Sequence, residues 1–162
     1  MTQFPREEIQ ETLDRYIAVR EAIERGEKDW PDLAQFFTDD AVYIDPAWGR
    51  VQGIDKLKEF FVESMTGLED WRFPITETAI ADNGTVFVKW IQISPGTKPD
   101  GSTYQQSGLS TLIYGGDGKF CYDEDLLNMV HVNEDLRASG WMPGKGFNMP
   151  PKNPNRDWSR PS

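Results

Sequence analysis

Apolar residues at Ile9, Leu13, Tyr16, Ile17 and Ile23 recur at helical spacing, and Glu7, Glu8, Glu11, Asp14, Arg15 and Arg20 fill the other face. The pattern predicts an amphipathic helix with one stripe on a core. Gly26 offers a stop, and Pro31 opens a short second helix through Leu33, Ala34, Phe36 and Phe37 that Asp39 and Asp40 end. Residues 41–45, AVYID, alternate as a strand, with Ala41, Tyr43 and Asp45 on one face and Val42 and Ile44 on the other. Pro46 and Gly49 break that strand, and Leu57, Phe60, Phe61 and Met65 mark a third helix beginning near Ile54 or Asp55.

Beyond Gly67 the character changes to β. Four strands are expected, near 71–80, 85–94, 103–114 and 119–127, separated by the turn-forming stretches DNG, SPGTKPDGS and GGDG. Helices followed by a meander of hairpins predict an α+β fold, with the N-terminal helices packed on a curved antiparallel sheet that encloses a pocket. A domain over 1–140 then precedes an irregular tail over 141–162, rich in Pro, Gly and Asn, with Met142, Phe147, Met149 and Trp158 as available anchors. The tail has two readings: a solvent-exposed extension, or a segment that covers the pocket mouth or crosses to a second subunit.

Six tryptophans among 162 residues supply apolar bulk to line a cavity as well as fill a core. A net charge of -10 repels phosphate backbones and anionic lipid, so no nucleic-acid partner is expected. No apolar run approaches the ~20 residues that span a bilayer, so no membrane partner is expected. Cys121 stands alone, so no internal disulfide can form, and the opening MTQFPREEIQ has neither a basic leader nor an apolar core; a cytoplasmic protein is expected.

One histidine and one cysteine cannot furnish the N/S ligand sets of zinc or redox metals, and neither metal nor cofactor is expected. GGDGK lacks the glycine spacing and following helix of a phosphate loop. In the DED run, Asp123 and Asp125 share a strand face, and parity lets them meet Ser110 and Leu112 of the preceding strand at the cavity; a solvated charge cluster is the alternative. Acid–base chemistry by carboxylate and phenol remains, which requires a base whose pKa is raised by an apolar pocket and a donor for developing negative charge. Asp45, among Tyr43, Pro46 and Trp48, and Tyr16, on the buried stripe of the first helix, are the candidates. Each has a structural reading too, because Asp-Pro opens turns and a helical Tyr at core spacing packs.

The stretch TDDAVYIDPAWGRVQGIDKLKEFF resembles the opening strand and third helix of the SnoaL-like and ketosteroid isomerase-like branch of the nuclear transport factor 2 superfamily. The resemblance extends over roughly residues 8–138 and implies that family's cone-shaped fold. In DDAVYIDP it places Asp45 where the isomerases carry their general base, and in RYI it places Tyr16 where they carry an oxyanion-hole tyrosine. Their second donor, a protonated Asp, falls on Ser110 here.

The resemblance thus implies a cofactor-independent isomerase, cyclase or lyase acting on a small hydrophobic carbonyl compound of steroid, terpenoid or polyketide type. Asp45 would be the base and Tyr16 the oxyanion donor; strand parity, if it turns them to the cavity, offers Asp123 or Asp125 as a buried, protonated donor or a second base. Tyr43, Trp48, Phe61, Trp90, Ser110, Leu112 and His131 form the expected lining, His131 from a short closing helix on which it faces the pocket or caps the core. Relatives pair through the outer sheet face, so a homodimer is expected through Phe87, Ile91, Phe120 and Tyr122. The rival readings are a non-catalytic binding protein for a hydrophobic small molecule and a protein-interaction adaptor of the nuclear transport factor 2 type.

Overall fold

The structure, a computed structural model, describes residues 3–161. Helix α1 (Arg6–Glu24) is followed by a 3-10 helix (Trp30–Phe36), strands β1 (Phe37–Asp45) and β2 (Gly49–Gln52), and helix α2 (Ile54–Glu63). Strands β3 (Ile75–Ile80), β4 (Val86–Thr97), β5 (Thr103–Gly116) and β6 (Lys119–Leu127) and helix α3 (Met129–Ser139) complete the regular structure. Among the described residues no helix is long and apolar enough to cross a membrane.

The strands form one sheet in the order β2-β1-β6-β5-β4-β3. From β3 to β6 it is the expected meander, but β1 joins β6 in parallel, so the sheet is mixed rather than wholly antiparallel. The short β2, not anticipated from the sequence, folds back on β1 through the Pro46–Gly49 turn and pairs Asp45 with Gly49. The second helix is a single 3-10 run that stops at Phe36, after which Phe37 already belongs to β1.

The core lies between the helices and one sheet face. Ile9, Leu13 and Tyr16 of α1, Phe36 of the 3-10 helix and Leu57 of α2 pack against Val86, Leu112 and Phe120, all at 2% exposure or less. Tyr16 meets Phe36 and Phe120 edge-on at 5.7 and 5.9 Å, a geometry that adds about 0.5–1.5 kcal/mol per pair beyond burial.

A bulge in β6 decides which side chains face this core. Tyr114 pairs with Phe120 and Ile113 with Tyr122, leaving Cys121 as the extra residue. Phe120 therefore turns into the core, while Tyr122 packs with Val42 and Ile44 in a separate cluster. This corrects the expected outer patch: Phe120 is not on that face, and Tyr122 is only 1% exposed, with its hydroxyl donating to the Trp158 carbonyl. Phe87 and Ile91 are what remains of it, both half-buried.

Candidate active site

A cavity of about 770 Å³ opens between the sheet, α2, α3 and the C-terminal segment. Five tryptophans, Trp30, Trp48, Trp71, Trp90 and Trp141, contribute to its wall, together with Phe60, Phe61, Phe73 and Tyr43. Its acidic end comes from the parallel β1–β6 pair. Tyr43 stands opposite Asp123 and Ile44 opposite Glu124, so the next step sets Asp45 beside Asp125 at the strand spacing of about 4.8 Å. Parallel neighbours in register point to the same face, and both carboxylates line the cavity.

One oxygen of Asp45, Oδ1, accepts from the backbone N–H groups of Ala47 (2.8 Å) and Trp48 (2.7 Å), which is the turn-opening role expected of Asp-Pro. The other oxygen has no protein partner. Burial raises the Asp45 pKa to about 6, helped by the nearby Asp125 charge and opposed by the two backbone donors.

Asp125 is held more tightly. Its Oδ2 accepts from the Tyr43 hydroxyl at 2.5 Å, and its Oδ1 accepts from Ser110 Oγ in a short contact. Ser110 Oγ in turn accepts from Trp90 Nε1 at 2.9 Å. The Trp90 indole lies across Gly108, where a Cβ would come within 2.4 Å of the ring, so glycine is required there. Asp123, paired with Leu112 on β5, is 0% exposed, and neither of its oxygens has a partner. Burial first, then the charge of Asp125, pushes its carboxyl well above the usual range. The DED run is thus not a solvated cluster.

Arg20 is the basic group at this end. It is 5% exposed, lies 5.1 Å above the Trp30 ring, and donates from Nη1 to the Tyr16 hydroxyl (3.2 Å) and from Nη2 to the Phe73 carbonyl (3.0 Å). Tyr16, 2% exposed, sits behind Arg20 and outside the cavity wall; burial raises its hydroxyl pKa, against the effect of Arg20. Its charge assigns Arg20 to the polar face of α1, yet it follows Tyr16 by four residues and so belongs to the buried stripe.

Of the other expected lining residues, Tyr43, Trp48, Phe61 and Trp90 are on the wall. Ser110 and Leu112 lie beneath it, at 2% and 0% exposure, with Ser110 reaching the site through Asp125. His131 is exposed in the first turn of α3 and lies off the cavity, which Met129, Val132 and Leu136 of that helix face instead; helical spacing puts His131 on the opposite side. Among the described residues no three His, Cys, Asp or Glu side chains gather as metal ligands.

The segment after Gly140 closes one side of the cavity, the second of the two readings of the tail. Trp141 packs edge-on against Trp71 at 5.2 Å and against Phe147 at 6.1 Å. The Gly144 N–H donates to the Gly67 carbonyl, and a Cβ on Gly67, at φ +85, would meet Phe147 Cβ at 2.8 Å. Further on, Arg50 binds the tail through its backbone N–H to Asn155 O (2.8 Å) and through Nη1 to the carbonyls of Asp157 and Ser159. The anchors are therefore Trp141, Phe147 and the backbone; Met142, Met149 and Trp158 are 79%, 77% and 71% exposed.

A family model described as a SnoaL-like domain matches residues 13–122. The chain belongs to the SnoaL-like family. Among solved structures, this SnoaL-like chain is similar to an NTF2-like protein of unknown function from Exiguobacterium sp. 255-15, at 26% identity, a TM-score of 0.55, and coverage of 72% of this chain and 98% of that one. A proposed polyketide cyclase from Xanthomonas campestris pv. campestris shares 18% identity at a TM-score of 0.59, over 81% of this chain and 98% of the other. A proposed SnoaL-like polyketide cyclase from Jannaschia sp. CCS1 shares 15% identity at a TM-score of 0.63, over 85% and 98% respectively. The latter two likenesses are of fold. A search of curated proteins finds no match. The three structures are covered almost end to end while 15–28% of this chain lies outside the match, and the family match ends at Tyr122, well short of the segment that walls the cavity.

Proposed function

We propose that the cavity is the active site of a cofactor-independent acid–base enzyme, an isomerase, cyclase or lyase acting on a small, largely apolar carbonyl compound. The observation that carries this reading is the environment of Asp45: one oxygen held by two backbone donors, the other unpartnered at an aromatic cavity, with a pKa of about 6. A carboxylate so placed is ionised near neutral pH and basic enough to take a proton from carbon. The C–H electron pair moves onto the carbonyl oxygen; the proton on Asp45 then returns to another carbon, or the enolate carbon attacks a second carbonyl of the same molecule, whose C=O π pair moves to its oxygen and takes up the proton from Asp45. Arg20, rather than Tyr16 itself, faces the cavity as donor to the developing oxyanion, with Tyr16 holding its guanidinium in place. Asp125 is the second carboxylate available for proton return. The fold shared with proposed polyketide cyclases supports a ring-forming reaction.

Deuterium uptake from heavy water by a panel of enolisable ketones, followed by mass spectrometry, tests the reading. Uptake by wild type that Asp45→Asn abolishes is the expected result. Ketones that bind and do not exchange in wild type would instead support a non-catalytic binding protein, in which Asp45 serves only the turn at Ala47 and Trp48. The cavity volume speaks against an adaptor, whose interior would be filled by side chains.

A further inference from the structure

Away from the acidic end, one buried amide lines the sheet side of the cavity. Gln92 of β4 is 6% exposed, and its Nε2 donates to Gln106 Oε1 of β5 at 3.0 Å. Gln106, 7% exposed, donates from its own Nε2 to a carboxylate oxygen of Asp135 on α3 in a short contact. A carboxylate only accepts, so Asp135 draws the NH2 of Gln106 toward α3 and leaves its carbonyl oxygen facing Gln92. That oxygen claims the NH2 of Gln92. The carbonyl oxygen of Gln92 is then the acceptor without a protein partner at the cavity wall, beside the second hydrogen of its NH2. Turning the relay round would set a carbonyl oxygen of Gln106 against the Asp135 carboxylate.

The strand registers place this acceptor at a distance from the acids. Asp125 is level with Ser110 and Val88, and Gln92 lies four residues further along β4, on the order of 13 Å in the strand direction.

We propose that Gln92 is a specificity-determining acceptor of the cavity, and that Asp135, acting through Gln106, is the positioning residue that fixes its direction. The ligand it selects is an apolar compound with a hydroxyl or N–H group remote from the part that reaches Asp45. This rests on the cavity being a small-molecule site, as proposed above, but not on catalysis at Asp45.

The test uses two probes on the same ring system, 2-naphthol, which can donate a hydrogen bond, and 2-methoxynaphthalene, which cannot, titrated calorimetrically into the full chain. Wild type should bind the naphthol roughly tenfold more tightly, the scale of the net contribution of one hydrogen bond. Gln92→Leu should bind both equally. Asp135→Asn, able to donate as well as accept, frees the relay to reverse and should shrink or invert the preference, which a merely structural role for Asp135 would not do. The side-chain amide protons of Gln106 should shift in the NMR spectrum of that variant, a readout that needs no probe. Asp45→Asn should keep the preference while losing deuterium exchange, so the two proposals fail separately. Equal affinities in wild type, binding of neither probe, a preference that survives Gln92→Leu, or unmoved Gln106 amide signals in Asp135→Asn would overturn the inference.

Discussion

Asp45 and Asp125 stand side by side on parallel neighbouring strands, one step past the Ile44–Glu124 pair, and both face the same cavity. They differ in their donors. Asp125 has a hydroxyl on each oxygen, from Tyr43 and Ser110, whereas Asp45 keeps one oxygen free of protein partners. On the proposed function, that difference assigns proton abstraction to Asp45, while Asp125 is the anchored member of the pair.

Because burial holds the Asp45 pKa at about 6 in the fold against 3.8 ordinarily, the native chain binds more protons than the unfolded chain between those values. Its contribution to stability therefore falls as pH rises through that window and stays unfavourable above it, by roughly 3 kcal/mol at most. Asp45→Asn retains the oxygen that serves Ala47 and Trp48, so its melting temperature should exceed that of wild type at pH 8 and converge with it near pH 4. Deuterium uptake in wild type should rise with pH to a plateau, with a midpoint near 6. Identical melting curves at both pH values would remove the case for a raised pKa.

Asp123 is buried with both oxygens unpartnered, so replacing it with an apolar residue should stabilise the fold. Asp123→Leu is expected to gain about 1–3 kcal/mol in urea denaturation at pH 8. A loss of similar size would mean that the carboxyl is hydrogen-bonded to a buried water.

Arg20 and Tyr16 are separable. Tyr16→Phe removes one acceptor from a guanidinium still held by the Phe73 carbonyl, and should lower exchange by up to about tenfold. Arg20→Leu removes the group that faces the cavity and should lower it further at unchanged pH midpoint. The reverse ranking would assign the donor role to the tyrosine.

Arg50→Ala removes the side-chain contacts that hold the end of the tail at Asp157 and Ser159. Trypsin should then cut at Lys152 and Arg156 several-fold faster, with the melting temperature almost unchanged, since exposed tail contacts carry little of the global stability. Cleavage at the wild-type rate would show that Asn155 and the Gly67 contact suffice.

Much of the fold and part of the site can be read from local pattern. The period-two face of AVYID puts Tyr43 and Asp45 together, the parity of STL and DED turns Ser110, Leu112, Asp123 and Asp125 inward, and the helical stripe buries Tyr16. These are properties of a few consecutive residues, set by backbone geometry alone. Other features depend on partners distant in the chain. The bulge at Cys121 reverses parity between Phe120 and Tyr122, and nothing in FCYD announces it. Arg20 is buried because Tyr16 and the Phe73 carbonyl await it, although its charge argues for solvent. Gln92 acquires a direction only from Asp135 on another element, and the tail, without periodicity, becomes a wall because Gly67 and Gly49 leave room for it. Local periodicity determined the elements and their buried faces; registers, hydrogen-bond direction and the course of an aperiodic segment were decided by tertiary contact, because each minimises unpaired polar groups and voids over the whole molecule.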